Sequence, residues 1–515
     1  MAKTHQLPKK IIMKNLTRYF FIIQSTLYLI LTFLFLSKNY SFDAIGHSLV
    51  IEQPNADLFF HPYHLLYTPI LYCFYQILLF LKISISGLLA GQIFSIISAI
   101  FCIYLIYKIA DALFDNAIIK ISCAALVNFS YWFWYYSMDA ELHLPNMFIL
   151  LLISYNILRY IQTSQKINFY IAVTLCGLAP AFHQVNLMIF ISALFLLTYT
   201  ADTLKNKISV IIKFCTALFC FTIIPYLFCA YYFLKIKNFQ TLMTWLTRYQ
   251  QKGYWSNVTT NYFADTLKGL SYALFGGGTK KIILLIFIIS IVLIFQIYFL
   301  KRKQKNNFRL FLILLTILYS AVVIYWHPNN PENWWALVFI IFLFSEALDK
   351  ILTTLKNQKI KFLIFAFIVI LAIYQFYAVF FGYIKKYSRE KNNKYFIATQ
   401  TLKKLSELNN NAFILTLGAG EWTHLNIYLP YFAKNNFATI AAELDNNDLI
   451  NAFDNLEKKI NDYQRVILFS DLTNKEAIAE LAMIHKITYD LLNYKIQELL
   501  NKLSEKNIIK YDEKK

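Results

Sequence analysis

The sequence predicts a mainly α protein: a polytopic transmembrane helix bundle of about eleven spanning helices plus juxtamembrane segments, followed by a small C-terminal α/β domain. Three observations predict it. Hydrophobic residues fill 58% of 515 positions and charged residues only 15%. Apolar runs of about twenty residues, enough to cross a ~30 Å hydrocarbon core, recur from Tyr19 to Ile384. From Lys385 onward charge rises and those runs stop.

The expected spans are 18–37, 87–107, 116–137, 144–160, 168–182, 186–200, 209–234, 281–300, 308–326, 334–349 and 361–384. The basic N-terminus (MAKTHQLPKKIIMKNLTRYFF) has no small-residue cleavage site after its apolar run, so the first span reads as a retained helix. The net charge of +20 would suggest nucleic acid in a soluble chain. Here the basic residues sit in short loops between apolar runs, where they report topology. The seven cysteines lie in apolar segments without metal-ligand spacing and read as small buried hydrophobes.

Segment 64–82 decides the sidedness of every later loop. If it does not cross, the inside collects Lys3, Lys9, Lys10, Lys14, Arg18, Lys108, Lys120, Arg159, Lys166, Lys205, Lys207, the cluster KRKQKNNFR and Lys350–Lys361. The short loops 138–143, 183–185 and 327–333, free of Lys and Arg, then face outside. The positive-inside rule favours this arrangement. Pro62 and Pro69 suit a broken, re-entrant or juxtamembrane segment. Asp43, Glu52, Asp57, His61, His64, Asp139, Glu141, His143, His183, His327 and Glu332 all then share the external face, as a site would require. Loop 235–279 is outer too, with Trp245, Tyr249, Tyr254 and Trp255 suited to an interfacial belt and Gly276–Gly278 to a hinge.

Residues 1–384 thus form the membrane domain and 385–515 an extracytoplasmic α/β domain. In the latter, 412–417 and 465–470 read as buried strands, and 394–409, 446–462 and 474–503 as helices. GAGEW (418–422) follows the first strand and reads as a strand-to-loop turn or, alternatively, as a phosphate cradle.

Three stretches resemble one family when taken together. They are FDAIGHSLVIEQPNADLFFHPYHLLYTPI, then SMDAELHLPN with GLAPAFHQVNLMIF, then WLTRYQQKGYW with WHPNNPENWW. The pattern over roughly 18–384 resembles the GT-C class of integral-membrane glycosyltransferases, nearest to bacterial relatives of the protein O-mannosyltransferases. The resemblance implies transfer of a hexosyl or pentosyl group from a polyprenyl-phosphate donor to a glycan, lipid or protein acceptor. It implies a bacterial inner membrane, a cytoplasmic N-terminus, and no nucleic acid. Asp43 matches the family's first-loop acid, a general base or metal holder. Relatives often carry a second acid three residues later; here that position is Gly46, followed by His47, which puts a two-acid metal site in doubt. A divalent metal is compatible with the resemblance, but the sequence requires none.

Each candidate has a plain structural reading beside the functional one. Asp43 is either a solvated loop acid or the base for an acceptor hydroxyl. His61 and Tyr63 are interfacial anchors or face a phosphate or sugar. Glu141 matches the family's short-loop acid, yet with Asp139 it could simply cap the next helix. His143 shares that loop. His183 bonds a diphosphate or hydroxyl, or satisfies its own turn. Arg248 is a forked phosphate donor or a surface charge. Glu332 matches the late-loop acid, and Trp334 and Trp335 stack on sugar or mark the interface.

Two other functions compete. A transporter or flippase would place ionisable pairs at mid-membrane in two related halves; mainly Lys213 lies within a span, and no halves are apparent. A polysaccharide polymerase or ligase should favour an arginine-rich outer loop, and loop 235–279 has one arginine.

Overall fold

The computed structural model describes residues 6–247, 261–301, 307–409, 411–433, 436–503 and 506–511. The chain divides into two compact units, Met1–Ser37 with Val50–Ser388 and Lys38–Leu49 with Arg389–Lys515.

The first unit is helical. Its main helices are α1 (Gln6–Leu34), α3 (Tyr67–Phe80), α4 (Gly87–Leu113), α5 (Ala117–Asn128), α6 (Tyr131–Ser137), α7 (His143–Thr163), α8 (Lys166–Phe182), α9 (Leu187–Thr200), α10 (Leu204–Leu218), α11 (Asn307–Trp326), α12 (Ala336–Thr354) and α13 (Gln358–Val379); α2 (Phe42–Glu52) follows α1 in sequence but lies mostly in the second unit. Among the described residues, five helices are long and apolar enough to cross a membrane, or six if the bent pair α5–α6 is one span. The eleven expected spans exceed that number for visible reasons. The apolar part of α1 (Arg18–Leu34), α8 and α9 are apolar but short. α12 carries Glu346, Asp349 and Lys350 into its last turns. The expected continuous helix over 116–137 breaks, because Ser130 starts a new helix by accepting from Phe133 N, and the two halves bend by 58°.

The span Leu204–Phe233 holds two π turns, Phe219–Ile223 and Cys229–Phe233, on either side of Pro225. Proline lacks the N–H that the regular ladder needs, and wider turns absorb the defect. Only 17% of this span and 22% of Gln358–Tyr387 is buried, so both present broad apolar faces. Such faces oppose solvation in water by about 25 cal/mol per Å². Hydrocarbon removes that penalty, which makes these the lipid-facing helices.

Charges inside this unit are matched. Arg309 donates Nε–H and Nη2–H to Glu346 Oε1 at 2.9 and 2.6 Å. Asp349 accepts from the backbone N–H groups of Asp115 and Asn116, just ahead of α5.

The second unit is a four-stranded, all-parallel sheet in the order β2-β1-β3-β4, with β1 Phe413–Thr416, β2 Phe437–Thr439, β3 Arg465–Phe469 and β4 Asn507–Tyr511. Alternation along the strands sends side chains to two faces, and both are covered. Phe413, Leu415, Val466 and Leu468 pack with Leu456 and Ile478; Ile414, Ile467 and Phe469 pack with Leu402, Trp422 and Leu425. The predicted strands 412–417 and 465–470 appear as β1 and β3, and the predicted helix 474–503 is split at His485.

GAGEW is a turn closed from within. Asp471 accepts from Thr416 Oγ1 at 2.6 Å and from the N–H groups of Leu417 and Gly418, each at 2.9 Å. Within GAGEW, Asp471 takes the Gly418 N–H and Trp422 N donates to Ala419 O, as a strand-to-loop turn would have it. Gly418 sits at φ +65°, and a Cβ there would lie 2.1 Å from Asn426 Oδ1.

Two predictions follow from these contacts. A Cβ at Gly177 would lie 2.5 Å from the Ala217 carbonyl group, where α8 and α10 meet backbone to backbone. Gly177→Val should therefore destabilise the protein by about 1–3 kcal/mol, read as a lower unfolding temperature in detergent; an unchanged midpoint would contradict this close approach. Burial raises the Asp471 carboxyl to about 6, against the pull of the Thr416 hydroxyl and of the backbone N–H donors Leu417, Gly418 and Leu472. An acid raised in the folded state binds more protons folded than unfolded between about pH 4 and 6, so stability falls as pH rises through that window and levels above it. Chemical unfolding of the second unit followed by Trp422 fluorescence should show that slope, and Asp471→Asn should flatten it.

Candidate active site

The site is built on the turn between α6 and α7. After Ser137 the chain runs through Met138, Asp139, Ala140, Glu141 and Leu142 before α7 begins, and every one of these residues is buried. Backbone outside a helix must find partners for its carbonyls in such surroundings. Gln92 Nε2 donates to Met138 O at 2.7 Å and to Ser37 O at 2.9 Å. Tyr67 Oη donates to Ala140 O at 3.3 Å and Ser95 Oγ to Glu141 O at 3.1 Å. Gly91 lets the turn settle on α4: a Cβ there would stand 2.5 Å from that of Ala140.

Glu141 does not cap α7. The N-cap position is Leu142, which makes no side-chain cap bond. Instead Glu141 Oε2 lies 2.6 Å from His143 Nε2. Glu332 Oε1, from the loop before α12, lies 3.4 Å from the same nitrogen. Trp335 Nε1 donates to His143 Nδ1 at 3.2 Å. Trp132 Nε1 donates to the Glu332 carbonyl at 2.7 Å, and Asn330 Nδ2 to Glu332 Oε2 at 3.2 Å. Burial raises the Glu332 carboxyl, but the His143 and Asn330 donors hold it below the ordinary carboxylate range.

His183 stands on the other side of Trp335, their ring centroids 4.9 Å apart. Its Nδ1 accepts from Val185 N at 3.2 Å. Burial, with His143 nearby, pushes the His183 imidazole down to about 3, so the ring is neutral and its Nε2 is a donor. The His61–Tyr63 segment reaches the same turn: Gln184 Nε2 donates to Pro62 O at 2.9 Å, and Tyr226 Oη donates to that carbonyl too. His61 packs on His64, with ring centroids 4.5 Å apart.

Beside this turn opens an apolar cavity of about 750 Å³, lined in part by Tyr63, Gln184, Val185, Thr222, Tyr226 and Tyr325. A second cavity, of about 490 Å³, lies in the second unit among Lys403, Glu407, Asn411, Asn436 and Tyr463; it holds none of the predicted residues.

The structure therefore brings together Glu141, His143, Glu332 and His183, with Tyr63 and His61 alongside. Asp43 belongs to the second unit. Arg248 lies outside the described residues. Trp132, Trp335 and Asn330 carry the cluster's hydrogen bonds. Nothing in the sequence distinguishes the indole groups from an interfacial belt, but Asn330 stands two residues before Glu332 and was within reach of a local reading.

The side-chain atoms of Glu141, His143 and Glu332 lie within 4.8 Å of one another, a spacing that raises the possibility of a bound cation. His143 Nε2 is buried and has no hydrogen-bond partner, although Glu141 Oε2 stands 2.6 Å from it. Two carboxylates and one imidazole nitrogen without a hydrogen-bond partner are a donor set that fits a divalent cation.

No family model matches the sequence, and no curated protein does. Solved structures do match. Oligosaccharyltransferase AglB from Archaeoglobus fulgidus, in complex with an inhibitory peptide and a dolichol-phosphate, aligns at TM-score 0.56 and 12% identity over 93% of this chain and 72% of its own. ArnT from Cupriavidus metallidurans in the apo state aligns at TM-score 0.51 and 9% identity over 81% of this chain and 85% of its own. The chain has the GT-C fold. A further Archaeoglobus fulgidus oligosaccharyltransferase structure gives TM-score 0.49 and 11% identity over 82% of this chain, which spans 62% of that protein's length.

Proposed function

We propose that this chain is an integral-membrane glycosyltransferase that moves a hexosyl or pentosyl group from a polyprenyl-phosphate donor to an extracytoplasmic glycan, lipid or protein acceptor. One observation carries the reading: a buried cluster of acids, histidines and indoles flanks an apolar cavity in a chain of GT-C fold. The cavity suits an isoprenoid tail. The His183 turn, with its neutral N–H donor, suits the phosphate or sugar hydroxyls next to that tail. The dolichol-phosphate and peptide held by AglB support a lipid phosphate donor and a protein as one kind of acceptor.

In this reading Asp43 takes the proton of the acceptor hydroxyl as its oxygen bonds to the anomeric carbon. The bond from that carbon to the phosphate oxygen breaks, and polyprenyl phosphate leaves. Glu141, His143 and Glu332 orient the sugar, Arg248 and His183 meet the phosphate, and His61 and Tyr63 line the approach of the lipid. The cluster stands at helix ends and in loops, whereas a transporter would carry such groups within its spans.

Loop charge supports a bacterial inner-membrane topology with the N-terminus cytoplasmic, the C-terminal unit outside, eleven crossings and 64–82 not crossing. Single cysteines should show it: Gln165→Cys labelled only from the cytoplasm and Lys475→Cys only from outside, the reverse pattern refuting the topology.

The decisive assay offers purified protein in detergent a panel of lipid-linked sugars and acceptors. Asp43→Asn should lower kcat by ~10²–10⁴-fold, the usual share of a general base, with folding intact. Val185→Trp, which fills the cavity, should raise KM for the lipid donor well above its effect on kcat. Full transfer by Asp43→Asn would leave Asp43 a loop acid.

A further inference from the structure

The second unit contains a stretch far from it in sequence, Lys38–Leu49, and the way it holds that stretch suggests a task for the C-terminal unit. Asn393 caps α14 (Lys394–Leu408), its Oδ1 accepting from Phe396 N at 3.0 Å. Its amide has two further bonds, donated to Lys38 O at 2.8 Å and to Tyr428 Oη at 2.9 Å. Tyr428 passes the line on and donates to Tyr40 O at 2.9 Å. Both side chains are buried, Asn393 at 1% and Tyr428 at 0% exposure.

Rings extend the grip. Tyr40 stacks on Phe432 with centroids 6.2 Å apart, and Phe42 meets His424 edge-on at 5.8 Å. Ser41 then caps α2, accepting from Ala44 N at 3.0 Å. Ala44 and Ile45 are fully buried, while Asp43, between Phe42 and Ala44 on the first turn, is exposed. The backbone on both sides of Asp43 is thus fixed, with Asp43 itself on the exposed side.

We propose that Tyr428, held by Asn393, is a positioning residue for Asp43, and that the C-terminal unit clamps the segment bearing the reaction's base. This rests on the reading of Asp43 as that base. The clamp itself rests only on the bonds just described. Deleting the Tyr428 hydroxyl leaves Tyr40 O without this donor and Asn393 with one acceptor fewer, yet keeps the ring and its packing. The start of α2 is then free to shift, and a base displaced by about 1 Å loses ~10²-fold in rate.

The test uses the full-length protein in nanodiscs. Tyr428→Phe should speed hydrogen exchange of amides 38–49 at least tenfold while β1 and β3 stay protected. kcat should fall by ~10–100-fold, with KM for the lipid donor within threefold. Asp43→Asn should cost much less in the Tyr428→Phe background than alone, because the two changes remove one function. If Tyr428→Phe fails to fold, Asn393→Ser serves, since serine keeps the helix cap and lacks the amide donor; it should give the same pattern. Unchanged exchange overturns the clamp. Faster exchange with parental kcat, or full additivity with Asp43→Asn, overturns the positioning role. Full transfer by Asp43→Asn alone defeats the base reading instead, and the exchange data still decide whether the clamp exists.

Discussion

The amide of Gln92 is the contact on which the rest of the site depends. It sits on α4, inside the helical unit, and ties Met138 O to Ser37 O through one nitrogen. The turn it holds is non-helical backbone surrounded by apolar side chains. A carbonyl left unbonded there is disfavoured by several kcal/mol. Ser95 and Tyr67 satisfy two more carbonyls, and Gly91 removes the side chain that would push the turn away. Only a turn secured in this way can point Glu141 and His143 inward without unravelling the start of α7.

Burying two acids beside one imidazole raises a desolvation problem that the neighbours solve unequally. Glu141 is nearly inaccessible and rests against His143; Glu332 is about a third exposed and has Asn330 as a second donor. The indole of Trp335 donates to Nδ1 on the far side of the same ring. The cluster is therefore braced by indole and amide groups that do not titrate.

Much of this was legible in the sequence, for reasons that differ by element. Ionisable residues in an apolar chain are expensive to bury, so Glu141, His143, His183 and Glu332 stood out, and three of the four meet at one point. Trp132 did not stand out, and Trp335 read equally as a sugar platform or as a mark of the interface, because tryptophans near a membrane face look like an interfacial belt. The break at Ser130 was hidden, since apolar periodicity runs straight through it. β1 and β3, buried on both faces, read as continuous apolar runs. β2 and β4 escaped notice, one being three residues long and the other including Asn507 and Lys510. The part Asp471 plays in the GAGEW turn was hidden, because it stands more than fifty residues on. The membership of Lys38–Leu49 in the C-terminal unit was equally invisible, since it depends on contacts with residues some 350 positions away.

The two buried acids Asp471 and Glu141 show why burial alone does not mark a functional residue. Asp471 accepts from Thr416, Leu417 and Gly418, all within the turn it closes. It completes the end of a strand, and the same donors that make it structural leave no vacancy for a ligand. Glu141 meets His143 from its own turn and, through that ring, Glu332 and Trp335 from a distant loop. Nothing in the folding of either segment requires these groups to converge, because each backbone is already satisfied by other partners. Convergence of titratable side chains from separate segments is what chemistry on a substrate requires. The distinction between the two acids therefore lies in the origin of their partners, not in their depth: the carboxylates beside His143 converge from separate segments, and the one beside Thr416 closes its own turn.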